Sequence, residues 1–141
     1  MTQRAPAASG PCLTGVGLGP GDPELLTLRG VRAIRDADVV FVPVRRAGET
    51  SYALTIAGDL VDEDRQRVVT LPFPDAPGEA GYRAIGERVA GELTPDLRGA
   101  FLVEGDPTLY SSFGHVARAV ALVAPQVRLE TVPGVSSVTA S

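Results

Sequence analysis

The stretch Val16-Gly17-Leu18-Gly19-Pro20-Gly21-Asp22-Pro23 decides how this chain reads. It follows a short apolar run at residues 12–16 and precedes a helical pattern. Three glycines and Pro20 at a strand end leave almost no side chain there, and so bare a backbone can approach a ligand closely. The chain repeats the arrangement twice. After Ala100-Phe101-Leu102-Val103 comes Glu104-Gly105-Asp106-Pro107, and after residues 127–132 comes Pro133-Gly134-Val135-Ser136-Ser137. Three such loops at the carboxyl ends of three strands are expected to form one cleft.

Around these loops, apolar runs alternate with amphipathic stretches. Strands are expected at residues 12–17, 38–42, 67–71, 98–103 and 127–132. Helices are expected up to Asp36, at 51–60, at 79–93 and at 111–123, the first with Leu28, Val31 and Ile34 at helical spacing and with Asp22 or Thr27 as its cap. Pro43 is expected to end the second strand, and Pro72, Pro74 and Pro77 to form a stiff loop. Strict alternation predicts an α/β fold, a five-stranded, mostly parallel sheet with helices on both faces. Such sheets bind ligands past the carboxyl ends of their strands.

With 141 residues the chain can bury one ordinary core, and 44% hydrophobic against 21% charged residues suits a globular domain. A formal net charge of −4 argues against a general nucleic-acid or anionic-membrane surface, although a local basic patch stays open. The single cysteine, Cys12, excludes an internal disulfide and any Cys-cluster metal site; it reads as a small buried residue of the first strand. No apolar run spans a bilayer, and Arg4 is not followed by the apolar core of a signal peptide. The expectation is a cytoplasmic protein with no nucleic-acid or membrane partner. Residues 1–11 read as a disordered leader and 12–141 as the α/β domain. Val138-Thr139-Ala140-Ser141 reads as the first turn of a helix, and the chain is expected to be cut short there.

The first loop is neither of the two common phosphate loops. A G-x-G-x-x-G reading from Gly15 meets Pro20 and one from Gly17 meets Asp22, while Gly-Lys-Ser/Thr is absent. The second strand ends in Pro43-Val44-Arg45, without the acidic residue that would hold a ribose. Taken singly, each loop also reads as a plain turn or helix cap.

Taken in order, the loops are more specific. Gly17-x-Gly19-Pro20-Gly21-Asp22-Pro23-Glu24-Leu25-Leu26-Thr27, then Gly105-Asp106-Pro107, then Pro133-Gly134-Val135-Ser136-Ser137 resemble the tetrapyrrole methylases, which use S-adenosylmethionine (SAM). The resemblance runs from about Leu13 to Ser141. Ser51-Tyr52-Ala53 with Ile56-Ala57, Leu71-Pro72-Phe73-Pro74, and Glu104-Gly105-Asp106-Pro107 with Tyr110-x-Ser112-Phe113 are similar to the branch that methylates precorrin-2 at carbon-20. Glu104 stands where the uroporphyrinogen-III branch has Gly. The resemblance implies that Pro20, Glu104, Gly105, Asp106, Leu109, Ser136 and Ser137 contact SAM. It also implies a second domain absent from this chain, and a homodimer.

Methyl transfer is an in-line attack on a sulfonium methyl, so alignment and water exclusion matter more than a metal or a covalent nucleophile. No metal is expected. No catalytic base is identified; Tyr110 and Glu104 are weak candidates. Precorrin-2 carries carboxylates, which a planar guanidinium binds bidentately. Arg45 and Arg46, at the edge of the bare loops, read either as substrate contacts, with Tyr110, or as a solvated pair. Arg83, Arg88 and Arg118 read as surface charge and His115 as structural. Still open are the cobalt-containing acceptor, another family branch, and a non-catalytic nucleotide-binding or dimerising module.

Overall fold

The computed structural model describes residues 10–73, 76–104 and 112–135. Five strands form: β1 (Cys12–Gly17), β2 (Val39–Val44), β3 (Arg67–Pro72), β4 (Arg98–Val103) and β5 (Arg128–Val132). They make one sheet in the order β3-β2-β4-β1-β5, and every pairing is parallel. The crossovers carry helices α1 (Leu28–Asp36), α2 (Tyr52–Ala57), α3 (Gly78–Glu92) and α4 (Phe113–Val123). The expected α/β sheet is present.

Both faces of the inner strands β2, β4 and β1 are buried, which is why these read as nearly continuous apolar runs, whereas the edge strands β3 and β5 carry exposed polar residues. Successive side chains of a strand point to opposite faces. Leu13, Phe41 and Phe101 accordingly pack with Val89 of α3 and with Phe113, Val116 and Val120 of α4. Val16, Val40, Val42 and Leu102 pack on the other side with Ile34 of α1 and with Ala53, Ile56 and Ala57 of α2. Small residues let the layers close up. A β-carbon at Gly15 would stand 2.6 Å from the Phe113 ring, and one at Gly86 would stand 2.6 Å from Ala119 of α4. Cys12 is buried, as expected.

Several boundaries differ from the sequence reading. β2 continues through Pro43 to Val44. Val44 O accepts from Phe73 N at 2.7 Å on the β3 side, so the imide nitrogen of Pro43 faces β4. The β2–β4 ladder has already ended at Phe41↔Phe101, so no hydrogen bond is lost there. Pro72 closes β3, an edge strand, for the same reason. In α1 the buried residues are Gly30 and Ile34, while Leu28 is 81% exposed. Gly30 brings the helix down on Val16, and Leu28, two residues earlier, falls outside that contact. The helix expected at 51–60 is α2 followed by a 3-10 turn, Gly58–Leu60, because Gly58 takes φ +52 at the boundary. Asp22 and Thr27 both cap. Asp22 Oδ1 accepts from Glu24 N at 2.9 Å in the 3-10 turn Pro23–Leu25, and Thr27 Oγ1 accepts from Gly30 N at 3.0 Å in α1.

One buried polar residue escaped the sequence reading. Gln66 is 3% exposed; its amide nitrogen donates to Ile34 O at 2.6 Å and Ala37 O at 2.8 Å, and its Oε1 accepts from Asp62 N at 2.8 Å. It ties the end of α1 to the turn before β3. Truncation would strand Ala37 O and Asp62 N, while Ile34 O keeps its bond from Ala37 N, so Gln66→Ala should destabilise the fold by about 1–3 kcal/mol. Urea unfolding followed by circular dichroism measures this; an unchanged midpoint would show that water replaces the side chain.

Candidate functional site

The parallel pairing of β1 with β4 sets two of the loops side by side. Gly17 pairs with Val103, and Leu18 N donates to Val103 O at 2.8 Å, so the contact outlasts the strands by one residue. From there α1 turns onto one face of the sheet, and α4 covers the other. Adjacent strands whose helices part to opposite faces open a crevice at their carboxyl ends.

The first loop is shaped for close approach. Gly19 has φ +77 and Gly21 φ +133, conformations that strain any residue with a β-carbon, and half-buried Pro20 sits between them. A β-carbon at Gly19 would meet Leu25 at 3.4 Å, and one at Gly21 would meet the Tyr52 hydroxyl at 2.8 Å.

Beside this loop lies a cavity of about 480 Å³ at the carboxyl ends of β2, β3 and β4. Pro43, Val44 and Phe73 supply its apolar wall, with the ring of Tyr52; Arg45, Glu49, Thr50, Glu104 and Ser112 supply its polar groups. Among the described residues the charged lining is one guanidinium and two carboxylates. Arg45 makes no ion pair among the described residues, so its fork is available to an anionic ligand.

The structure therefore brings Arg45 and Glu104 into one cavity and places Pro20 on the neighbouring loop. Arg46 is exposed and is not among the lining residues described; its carbonyl accepts from Glu49 N at 3.1 Å in a turn. Gly105, Asp106, Leu109, Tyr110, Ser136 and Ser137 lie outside the described residues. His115 faces elsewhere. It stacks on Tyr82 at 4.6 Å and 20°, in a groove of about 460 Å³ along α3 and α4 that Arg83 and Arg118 also line. Arg83 pairs with Glu87 at 3.2 Å. Tyr52, Phe73, Glu49, Thr50 and Ser112 were not read as site residues. Glu49 and Thr50 carried no sequence signal beyond position, just before a helix start; Tyr52, Phe73 and Ser112 stood inside the branch-like motifs without an assigned role.

Residues 12–141 match the model of the family described as Tetrapyrrole (Corrin/Porphyrin) Methylases. The chain belongs to the tetrapyrrole methylase family. A Methanocaldococcus jannaschii protein named "Probable cobalt-precorrin-2 C(20)-methyltransferase" is 37% identical over 128 residues, which cover 90% of this chain and 54% of that protein. The precorrin-2 C(20)-methyltransferase of a Sinorhizobium species is 35% identical over 135 residues, 89% of this chain and 54% of its own length. The chain thus spans about half the length of the curated relatives it matches. Among solved structures, a Thermus thermophilus uroporphyrin-III C-methyl transferase complexed with S-adenyl homocysteine is 28% identical, with a TM-score of 0.56 over 92% of this chain and 47% of that one.

In this methylase domain the loop glycines have separable roles. Gly48 has φ +84 and nothing within 4 Å of a β-carbon, whereas Gly21 combines φ +133 with the Tyr52 contact. Gly48→Ala should therefore cost about 1 kcal/mol and Gly21→Ala about 2–3 kcal/mol. Equal losses in urea unfolding would show that Tyr52 yields freely.

Proposed function

We propose that this chain is the first of two domains of a SAM-dependent C-methyltransferase of corrin biosynthesis, which methylates precorrin-2 at carbon-20 to give precorrin-3A. The observation that carries the reading is the bare Gly19-Pro20-Gly21 loop, open at the crevice between β1 and β4, in a chain whose relatives are named for that methylation. The loop suits the donor, because a sulfonium nucleoside needs close backbone contact and offers no phosphate for a lysine loop to grip. In this reading Pro20, Glu104, Gly105, Asp106, Leu109, Ser136 and Ser137 hold SAM, and Arg45, Arg46 and Tyr110 face the acceptor. When bound, SAM supplies an electrophilic methyl: the acceptor carbon gains it, the sulfur keeps the bonding pair, and the acceptor gives up one proton. The chain's part is to align the two molecules and to exclude water. The assembly is a cytoplasmic homodimer, a reading carried by the family resemblance.

Arg45 supports the carboxylate-bearing acceptor, being a cation on the cavity and unpaired among the described residues. A cobalt-containing acceptor is the second reading, favoured by the name of the Methanocaldococcus relative.

Transfer of radiolabelled methyl from SAM to precorrin-2 and to its cobalt form, each offered to the whole two-domain protein, tests the proposal and ranks the acceptors. Labelling of neither would reject it. Calorimetry on the 141-residue chain should show S-adenosylhomocysteine binding more weakly than in the two-domain protein, because half a pocket makes fewer contacts. Gly105→Val should abolish that binding while the circular dichroism spectrum persists. In the two-domain protein Arg45→Ala should raise the acceptor KM about tenfold, on the order of a lost charge-assisted hydrogen bond, and Arg46→Ala should raise it less. Unchanged kinetics in both would return the pair to a solvated loop.

A further inference from the structure

Tyr52 is a large side chain that belongs to neither core. It occupies the first position of α2, where Ser51 fixes the backbone: Ser51 Oγ accepts from Leu54 N at 3.2 Å and donates to Pro43 O at 3.4 Å. Ala53, Ile56 and Ala57 are the buried residues of α2, and Tyr52 is left 55% exposed. Its ring lines the cavity together with Arg45, Phe73 and Glu104. Its hydroxyl, meanwhile, reaches the first loop, 2.8 Å from where a β-carbon of Gly21 would stand. Tyr52 is therefore the side chain that joins the glycine loop to the cavity.

We propose that Tyr52 contacts the acceptor and sets its distance from the donor's loop. The ring offers an apolar face against which a flat pyrrole ring can pack, while Arg45, on the same cavity, meets a carboxylate of the same molecule. The hydroxyl end rests over Gly21, which lacks a β-carbon, so the position of the ring is tied to the loop and not only to α2. An exposed aromatic with a fixed backbone and few rotatable bonds loses little freedom when a ligand covers it. The inference rests on the methyltransferase reading above, and it gives a role to a residue that the Ser51-Tyr52-Ala53 motif carried without one.

The test uses the two-domain protein and two probes: precorrin-2, followed by its absorbance, and S-adenosylhomocysteine, followed by calorimetry. Tyr52→Ala should raise the Kd for precorrin-2 about tenfold and leave that for S-adenosylhomocysteine within about twofold. Tyr52→Phe should restore acceptor binding, because it keeps the ring. Equal precorrin-2 affinity in wild type and Tyr52→Ala would overturn the proposal. So would a parallel loss of both ligands, which marks a merely structural support of the loop. Should Tyr52→Ala lose its circular dichroism spectrum, Tyr52→Leu keeps bulk over Gly21 and should still weaken precorrin-2 alone. A wild-type two-domain protein that binds S-adenosylhomocysteine but not precorrin-2 would instead reject the acceptor named in the functional proposal, and the role of Tyr52 with it.

Discussion

The parallel ladder between β1 and β4 is the constraint on which the rest of the molecule depends. It holds Gly17 against Val103 and carries on through the 2.8 Å bond from Leu18 N to Val103 O. Because both strands are interior, with β2 and β5 on their outer sides, neither can slip without moving the whole sheet. A one-residue slip would also turn every side chain of β1 to the wrong face, putting Leu13 among the residues of α1 and α2. The register thus fixes where the glycine loop begins and which residue of the second loop stands next to it.

Glycines do the fitting around that ladder. On β1, Gly15 makes room for the Phe113 ring, which in turn packs at 5.4 Å from Phe101 of β4. Gly99, paired with Leu13, leaves space between Leu93 and Phe41. Gly86 brings α3 against α4. Each removes a side chain from a place where two layers meet, and dense interiors tolerate no excess volume there. The glycines of the first loop are of another kind. Gly19 and Gly21 are needed for backbone conformation, and they leave the loop uncovered by side chains of its own.

The cavity beside the loop is not a simple basic bowl. Among the described lining residues one guanidinium stands with two carboxylates and two aromatic rings. An anionic ligand would be oriented there rather than merely attracted, with Arg45 donating to one edge of a carboxylate and Glu49 and Glu104 repelling a misplaced one. The aromatic contacts continue outward from Phe73 to Tyr82 at 6.4 Å and from Tyr82 to His115, so the wall of the cavity and the outer groove share one packed layer.

The alternation of apolar runs determined the α/β class by itself, and β1 and β4 were legible to the residue, because a strand buried on both faces must be apolar throughout. The bare first loop was legible too, since glycine and proline restrict backbone wherever they stand. Proline in β2 was misleading: whether it breaks a strand depends on which neighbour its nitrogen faces, and that neighbour, β4, is distant in sequence. The buried side of α1 likewise depended on Val16, not on the spacing of Leu28, Val31 and Ile34. Gln66 looked like an ordinary surface amide until Ile34 and Ala37 came within hydrogen-bond reach. Arg45 and Arg46 are adjacent in the chain, yet only the folded β2–α2 connection puts the first on the cavity. Tyr52 stood in the Ser51-Tyr52-Ala53 motif, but only the fold placed it over Gly21 and on the cavity. Local chemistry is written along the chain, but contacts across 30 residues are made by the sheet order, which no short pattern encodes.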